Sequence, residues 1–304
     1  MNARIVGLLY CLIIVHSLHA SDEALLPEPI KKRVLIGTPI RQKPAILKEF
    51  LLSLEELNQN SFEADYCFID DNTDQESAQI LDEFLIKHQP RALVSKAENI
   101  GDIYICNETT HYWSEQVVWK VAHFKDAIIN YAYTNKYDYV FLIDSDIVLY
   151  PNTIEQLIAD DKDIVSEIFW TSWTPNAPKK PQVWLYDTYT QYEIKYGENL
   201  TAEEVNNRHL QFIETMLTPG VYEVGGLGAC TLISKHAMEQ GVSFKKIKNL
   251  TLWGEDRHFC VRALALGLSL FVDTHYPAYH IYRESNLAGV NEFKDNCRNG
   301  LYQI

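Results

Sequence analysis

Along the first half of the chain, short apolar runs alternate with stretches of helical period. Arg33 to Gly37 reads as a first strand, which Thr38-Pro39 is expected to break. Pro44 then opens a helical stripe of Ile46, Leu47, Phe50, Leu51, Leu54 and Leu57. Tyr66 to Asp70 is a second strand that ends in acid. Gln75 to Lys87 is a second helix, carried by Ile80, Leu81, Phe84 and Leu85. Ala92 to Val94 reads as a third strand, and Ser114 to about Thr134 as a long amphipathic helix. Val140 to Ile143 is four apolar residues long and stops abruptly at Asp144-Ser145-Asp146.

This alternation predicts an α/β fold with a mostly parallel central sheet and helices on both faces. Ligands of such sheets bind beyond the C-terminal strand ends. Thr38, Asp70, Asp71, Asp144 and Asp146 all fall there, so separate stretches of chain deliver polar groups to one sheet edge.

The second half is less regular. Pro175, Pro178 and Pro181 mark a loop, surrounded by Trp170, Trp173, Trp184, Tyr186, Tyr189 and Tyr192. These aromatics suit either a sugar-stacking platform or packing on the sheet. Glu203 to Met216 predicts a helix. Gly225-Gly226-Leu227-Gly228 precedes the apolar run Ala229 to Ile233. The paired glycines permit either close packing of backbone on a sugar or a tight turn without a ligand.

The N-terminus departs from the globular pattern. Ile5 to Val15 is nearly all apolar, and Ser17-Leu18-His19-Ala20 offers a small residue before a cut. Residues 1–20 therefore read as a secretory signal peptide, with an uncleaved anchor as the alternative. Residues 21–32 read as a linker. Residues 33–290 read as one catalytic domain, with 33–150 as its nucleotide-binding half and 151–290 as its acceptor half. Residues 291–304 read as a C-terminal tail. Sequons at Asn107, Asn199 and Asn249 agree with a secretory route. Of the cysteines beyond the leader, Cys67 and Cys260 sit in apolar runs. Cys106 and Cys297 lie in polar segments where a disulfide could form.

The chain has 304 residues and a formal net charge of −14. An acidic balance argues against nucleic acid as a partner, and against a membrane unless the leader is retained. It leaves room for a small anion carried by a metal. Two carboxylates at the end of a buried strand are costly to desolvate unless a cation lies between them. In an extended segment Asp144 and Asp146 would point the same way. Oxygen ligands suit Mn²⁺ or Mg²⁺, which commonly brings a phosphate with it.

Further candidates lie downstream. Glu255 and Asp256 follow Gly254 at the start of a predicted helix. Acids there suit the helix dipole, and one of them could serve as a general base. His280 is a candidate third metal ligand, and Arg283 suits a diphosphate. Lys125 on the long helix is a second candidate for a donor phosphate, and Ser145 lies between the metal-binding acids. Trp253, Gly225 and Gly226 are assigned to the acceptor side.

Val34-Leu-Ile-Gly-Thr-Pro-Ile40, Phe68-Ile-Asp-Asp71, Phe141-Leu-Ile-Asp-Ser-Asp146 and Gly254-Glu-Asp256 together resemble a GT-A-fold glycosyltransferase. Their order and spacing are similar to the family-two-like enzymes and the Anp1-type mannosyltransferase group. The resemblance implies that Thr38, Pro39 and Arg41 line a nucleotide pocket, with Asp70 or Asp71 on the base or ribose. It implies Mn²⁺ or Mg²⁺ on Asp144 and Asp146, with His280 closing the shell, and Asp256 or Glu255 as base in an inverting hexosyl transfer. The donor would be a UDP- or GDP-linked sugar and the acceptor a glycan or glycoprotein. The working place would be the endoplasmic reticulum or Golgi lumen, or outside the cell. No Gln-x-x-Arg-Trp stretch follows Glu255-Asp256, unlike processive polysaccharide synthases. A non-catalytic carbohydrate- or nucleotide-binding module on the same fold is the alternative function. A nucleotidyltransferase is disfavoured, because Gly37-Thr-Pro is too poor in Gly and basic residues for a triphosphate loop.

Overall fold

Strands Lys32–Ile40 (β1), Phe62–Asp70 (β2) and Ala92–Lys96 (β3) alternate with helices Pro44–Glu55 (α1) and Gln75–Lys87 (α2). A hairpin follows, Tyr104–Cys106 (β4) with His111–Trp113 (β5), and then helix Glu115–Thr134 (α3). Next come Tyr139–Leu142 (β6), Ile147–Val148 (β7), Thr153–Ala159 (α4) and Ile164–Thr171 (β8). Short strands Lys180–Pro181 (β9) and Val183–Trp184 (β10) precede helix Ala202–Met216 (α5). Val221–Val224 (β11), Gly226–Leu227 (β12), Thr231–Ser234 (β13) and Lys235–Glu239 (α6) follow. The chain closes with Glu255–Ala265 (α7), Leu270–His280 (β14), a 3₁₀ turn Glu284–Gly289 and Val290–Arg298 (α8). This computed structural model describes residues 31–98, 101–186, 188–251 and 254–301.

The main sheet runs β11-β14-β8-β13-β6-β1-β2-β3. β3, β2, β1 and β6 are mutually parallel, β13 is antiparallel to both its neighbours, and β8 and β14 are parallel to each other. The α/β class expected from the sequence is the one adopted. Strand residues alternate between two cores. Leu35, Val140, Leu142, Ile164 and Ile168 pack with α3, α5, α6 and α7. Val34, Ile36, Phe141, Ile143 and Val165 pack with α1, α2 and α4. Both strand faces are covered, which is why these strands read as unbroken apolar runs.

Three sequence expectations change. Thr38-Pro39 does not end β1, which stays paired with β2 through Ile40↔Asp70. β6 pairs with β1 only as far as Gly37↔Leu142, so Pro39 has no ladder partner on that side and its missing N–H costs nothing there. The supposed C-terminal tail contains α8. Its Val290 and Phe293 pack on Ile46, Val148 and Ile281. All five described cysteines are free, so Cys106 and Cys297 are not joined. The leader lies outside the described residues, and none of the described helices is long and apolar enough to cross a membrane.

Candidate active site

Beyond the C-terminal ends of β1 and β6 lies a cavity of about 780 Å³. Pro39, Arg41, Asp71, Asp144, Ser145, Asp146, Glu255, Asp256 and His280 all line it, although they come from five separate parts of the chain.

Asp144 and Asp146 both line the cavity, but the alternation argument for them fails. After Leu142 the chain leaves the strand and turns, and the Ile147 N–H donates to the Asp144 carbonyl at 3.2 Å. The two carboxylates therefore have different partners. Asp144 Oδ1 stands 3.8 Å from Lys125 Nζ, whereas Asp146 Oδ1 stands 3.5 Å from His280 Nε2. Register explains the second pair. β7 runs antiparallel to the end of β14, with Ile147 opposite His280, and the Ile281 N–H donates to the Asp146 carbonyl. His280 Nδ1 is fixed by the Thr171 hydroxyl at 2.8 Å.

Asp146 Oδ1 is buried and lacks a hydrogen-bond partner. Desolvation in the cleft pushes its carboxyl upward, but the imidazoles of His280 and His111 outweigh this and hold it below the ordinary carboxylate range. Asp144 moves the other way. Desolvation raises it, Asp146 adds to the rise, and Lys125 only partly opposes them.

Among the described residues, no group of three or more His, Cys, Asp or Glu side chains converges on a point where it could hold a metal. An orphaned carboxylate oxygen beside an imidazole nitrogen nevertheless fits a hard divalent ion held by two side chains. Such ions commonly draw the rest of their shell from substrate phosphates and water.

Lys125, expected to reach a donor phosphate, is instead only 3 % exposed and faces acids. Its Nζ lies 2.9 Å from Glu255 Oε1 and 3.2 Å from Asp256 Oδ1, with Asp144 the third neighbour. Burial alone would lower this ammonium, but the three carboxylates raise it well above its ordinary value. It is therefore a fixed cation paired with three acids that line the cavity. Removing one partner from a buried pair of this kind costs about 3–5 kcal/mol. Asp256 is raised to about 7, first by burial and then by Glu255 and Asp144 against the pull of Lys125. Gly254 at the helix N-cap and the two acids in the first turn of α7 present this carboxyl to the cavity.

A second charged cluster forms the Arg41 side of the cavity. Arg41 Nη1 lies 2.6 Å from Asp102 and 3.8 Å from Asp71. Lys120 Nζ lies 2.6 Å from Asp71 and 3.1 Å from Asp102. Two cations and two carboxylates thus fix one another. Asp102 was not foreseen, because the polar stretch around Gly101 carries no pattern that marks it.

Other expected residues are placed elsewhere. Thr38 is fully buried and does not line the cavity. Asp70 accepts from the Asn72 backbone and side chain and fastens the turn after β2, which leaves Asp71 as the acid at the cavity. Arg283 does not face a diphosphate. Its guanidinium donates to the carbonyls of Glu108, Ser172 and Trp173 and ties three segments together. Gly225 and Gly226 serve packing rather than a sugar. A Cβ at Gly225 would overlap the Leu185 carbonyl, and one at Gly226 would overlap the Trp184 indole. Gly228 and Ala229 reach the cavity instead. Trp253 lies outside the described residues. The aromatic cluster divides: Trp170 is core, Trp184 is buried yet reaches the cavity, and Trp173 and Tyr189 line it while partly exposed.

Residues 31–173 match the family model described as glycosyltransferase family 25, N-terminal domain. That stretch, from β1 to just past β8, is glycosyltransferase-like. No curated protein matches the chain. Among solved structures, S. aureus TarS 1-349 is similar at 16 % identity and a TM-score of 0.48, over 82 % of this chain and 60 % of that one. The same fragment in complex with UDP-GlcNAc gives 15 % and 0.47, over 82 % and 58 %. Its complex with UDP gives 16 % and 0.46, over 87 % and 64 %. The chain thus spans about three fifths of the TarS fragment that it matches.

Proposed function

We propose that this chain is a GT-A-type glycosyltransferase. It would move a hexose from a UDP- or GDP-linked donor to a hydroxyl of a glycan or glycoprotein, with inversion. The observation that carries the reading is one cavity lined by two different devices. One is Asp256, a carboxyl at about 7 beside the buried Lys125 ammonium. The other is Asp146 with His280, an unsatisfied acid next to an imidazole.

In this reading Asp256 accepts the proton of the acceptor hydroxyl. A base near neutrality is partly unprotonated at working pH and still strong enough to take a proton. Lys125 holds Asp256 and Glu255 in place. Asp146 and His280 would hold Mn²⁺ or Mg²⁺ against the donor's diphosphate, where the ion supplies neutralisation of charge on the leaving group. Asp144, paired with Lys125, connects the two devices. Arg41 and Asp71 face the nucleoside, and Trp173 and Tyr189 offer ring faces to a sugar. The apolar leader and the sequons support work in the lumen of the secretory pathway.

Nucleotide sugars that bind the folded chain raise its apparent stability by mass action. Thermal unfolding across UDP- and GDP-sugars is expected to show an upward shift for one nucleotide class, larger with Mn²⁺ than with chelator. No shift with any nucleotide sugar would remove the reading.

A further inference from the structure

The β4–β5 hairpin places a histidine that neither metal nor base chemistry has used. His111 lines the same cavity as Asp146 and His280. Its Nε2 sits 2.8 Å from the Tyr104 hydroxyl, while its Nδ1 is buried and has no hydrogen-bond partner. An unpaired buried ring nitrogen costs about 1–3 kcal/mol, so its retention calls for a partner supplied from outside the chain.

The ring is held in position. It packs 4.7 Å from Tyr282 and is flanked by Tyr104 and Trp113. The hairpin itself is clamped. Arg283 Nε donates to the Glu108 carbonyl at 2.8 Å, and the Ser285 backbone and hydroxyl both donate to the Glu108 carboxylate. Asn107 Oδ1 closes the turn by accepting from the Thr109 and Thr110 N–H groups. A polar atom without a partner thus sits on a braced side chain that lines the same cavity as Asp146.

We propose that His111 is a donor-binding residue whose Nδ1 donates a hydrogen bond to a phosphate oxygen of the nucleoside diphosphate; this rests on the glycosyltransferase reading. In this proposal the Tyr104 hydroxyl, 2.8 Å from Nε2, acts as the donor of that pair, and the ring proton sits on Nδ1. Burial lowers His111, against the opposing charge of Asp146. An imidazole N–H bonded to an ionised phosphate is a hydrogen bond of the stronger kind.

Calorimetric titration of the full chain with UDP, GDP, uridine, guanosine and inorganic pyrophosphate, in Mn²⁺, tests this. For the nucleotide that the wild type binds, His111→Ala is expected to weaken the diphosphate and pyrophosphate by about tenfold or more. The nucleoside should bind unchanged. His111→Gln, which keeps an N–H donor, should recover part of the loss. Equal diphosphate affinity in wild type and His111→Ala would overturn the proposal. So would a parallel loss of nucleoside and diphosphate, which would mark a purely structural hairpin. If the wild type binds no nucleoside diphosphate at all, the glycosyltransferase reading falls first and this proposal falls with it.

Discussion

Asp146→Ala is expected to abolish Mn²⁺-dependent binding of the nucleoside diphosphate while leaving the fold intact. The carboxylate contributes little to packing. Its Oδ1 has no hydrogen-bond partner, and its neighbour His280 keeps its own bond to Thr171. Removing it takes away one of two side chains suited to hold the cation. A fall in sugar transfer of about 10³-fold or more corresponds to about 4 kcal/mol of lost charge stabilisation. Far-UV circular dichroism and the melting temperature should stay near wild type. Calorimetry with the nucleoside diphosphate should lose its Mn²⁺ dependence. Unaltered metal-dependent binding in this variant would show that the orphaned oxygen is not where the ion sits.

Asp256→Asn is expected to separate chemistry from binding. An amide cannot accept the acceptor's proton, so kcat should drop by about 10²–10⁴-fold, with donor affinity nearly unchanged. Lys125 retains its 2.9 Å bond to Glu255, which limits structural damage. The pH profile gives a second readout. Burial places the Asp256 carboxyl at about 7, so the wild-type rate should rise with pH through neutrality as the proton leaves. The sign for stability is opposite. The folded state holds this proton more tightly than the unfolded chain does, so the contribution of Asp256 to stability falls as pH rises from 3.8 to about 7. In Asp256→Asn both trends should disappear. Equal losses in turnover and donor affinity would assign Asp256 a structural role instead.

Much of this site was legible because burial writes itself into sequence. β1, β2 and β6 are covered on both faces, so their apolar runs could be read without a structure, and their polar ends located the site. Asp71 and Asp146 were read this way, and Asp256 from its place after Gly254 at a helix start. What the sequence left open depends on contacts between distant segments. His280 was a candidate, but its place beside Asp146 follows only from the Ile147↔His280 register, which no local pattern encodes. Lys125 reads as one cation among several on α3 until the fold brings α7 against it. The β4–β5 strands have three residues each, too few to carry a period, so His111 was invisible. Gly225 and Gly226 misled because close approach to a strand and close approach to a sugar demand the same missing Cβ.

The most direct test measures release of nucleoside diphosphate by the purified full chain from UDP- and GDP-sugars, in Mn²⁺ and in chelator. The account predicts release from one donor class that needs the cation and disappears in Asp146→Ala. Binding of a donor without any release, with or without candidate glycan acceptors, would contradict it and leave a carbohydrate- or nucleotide-binding module in its place.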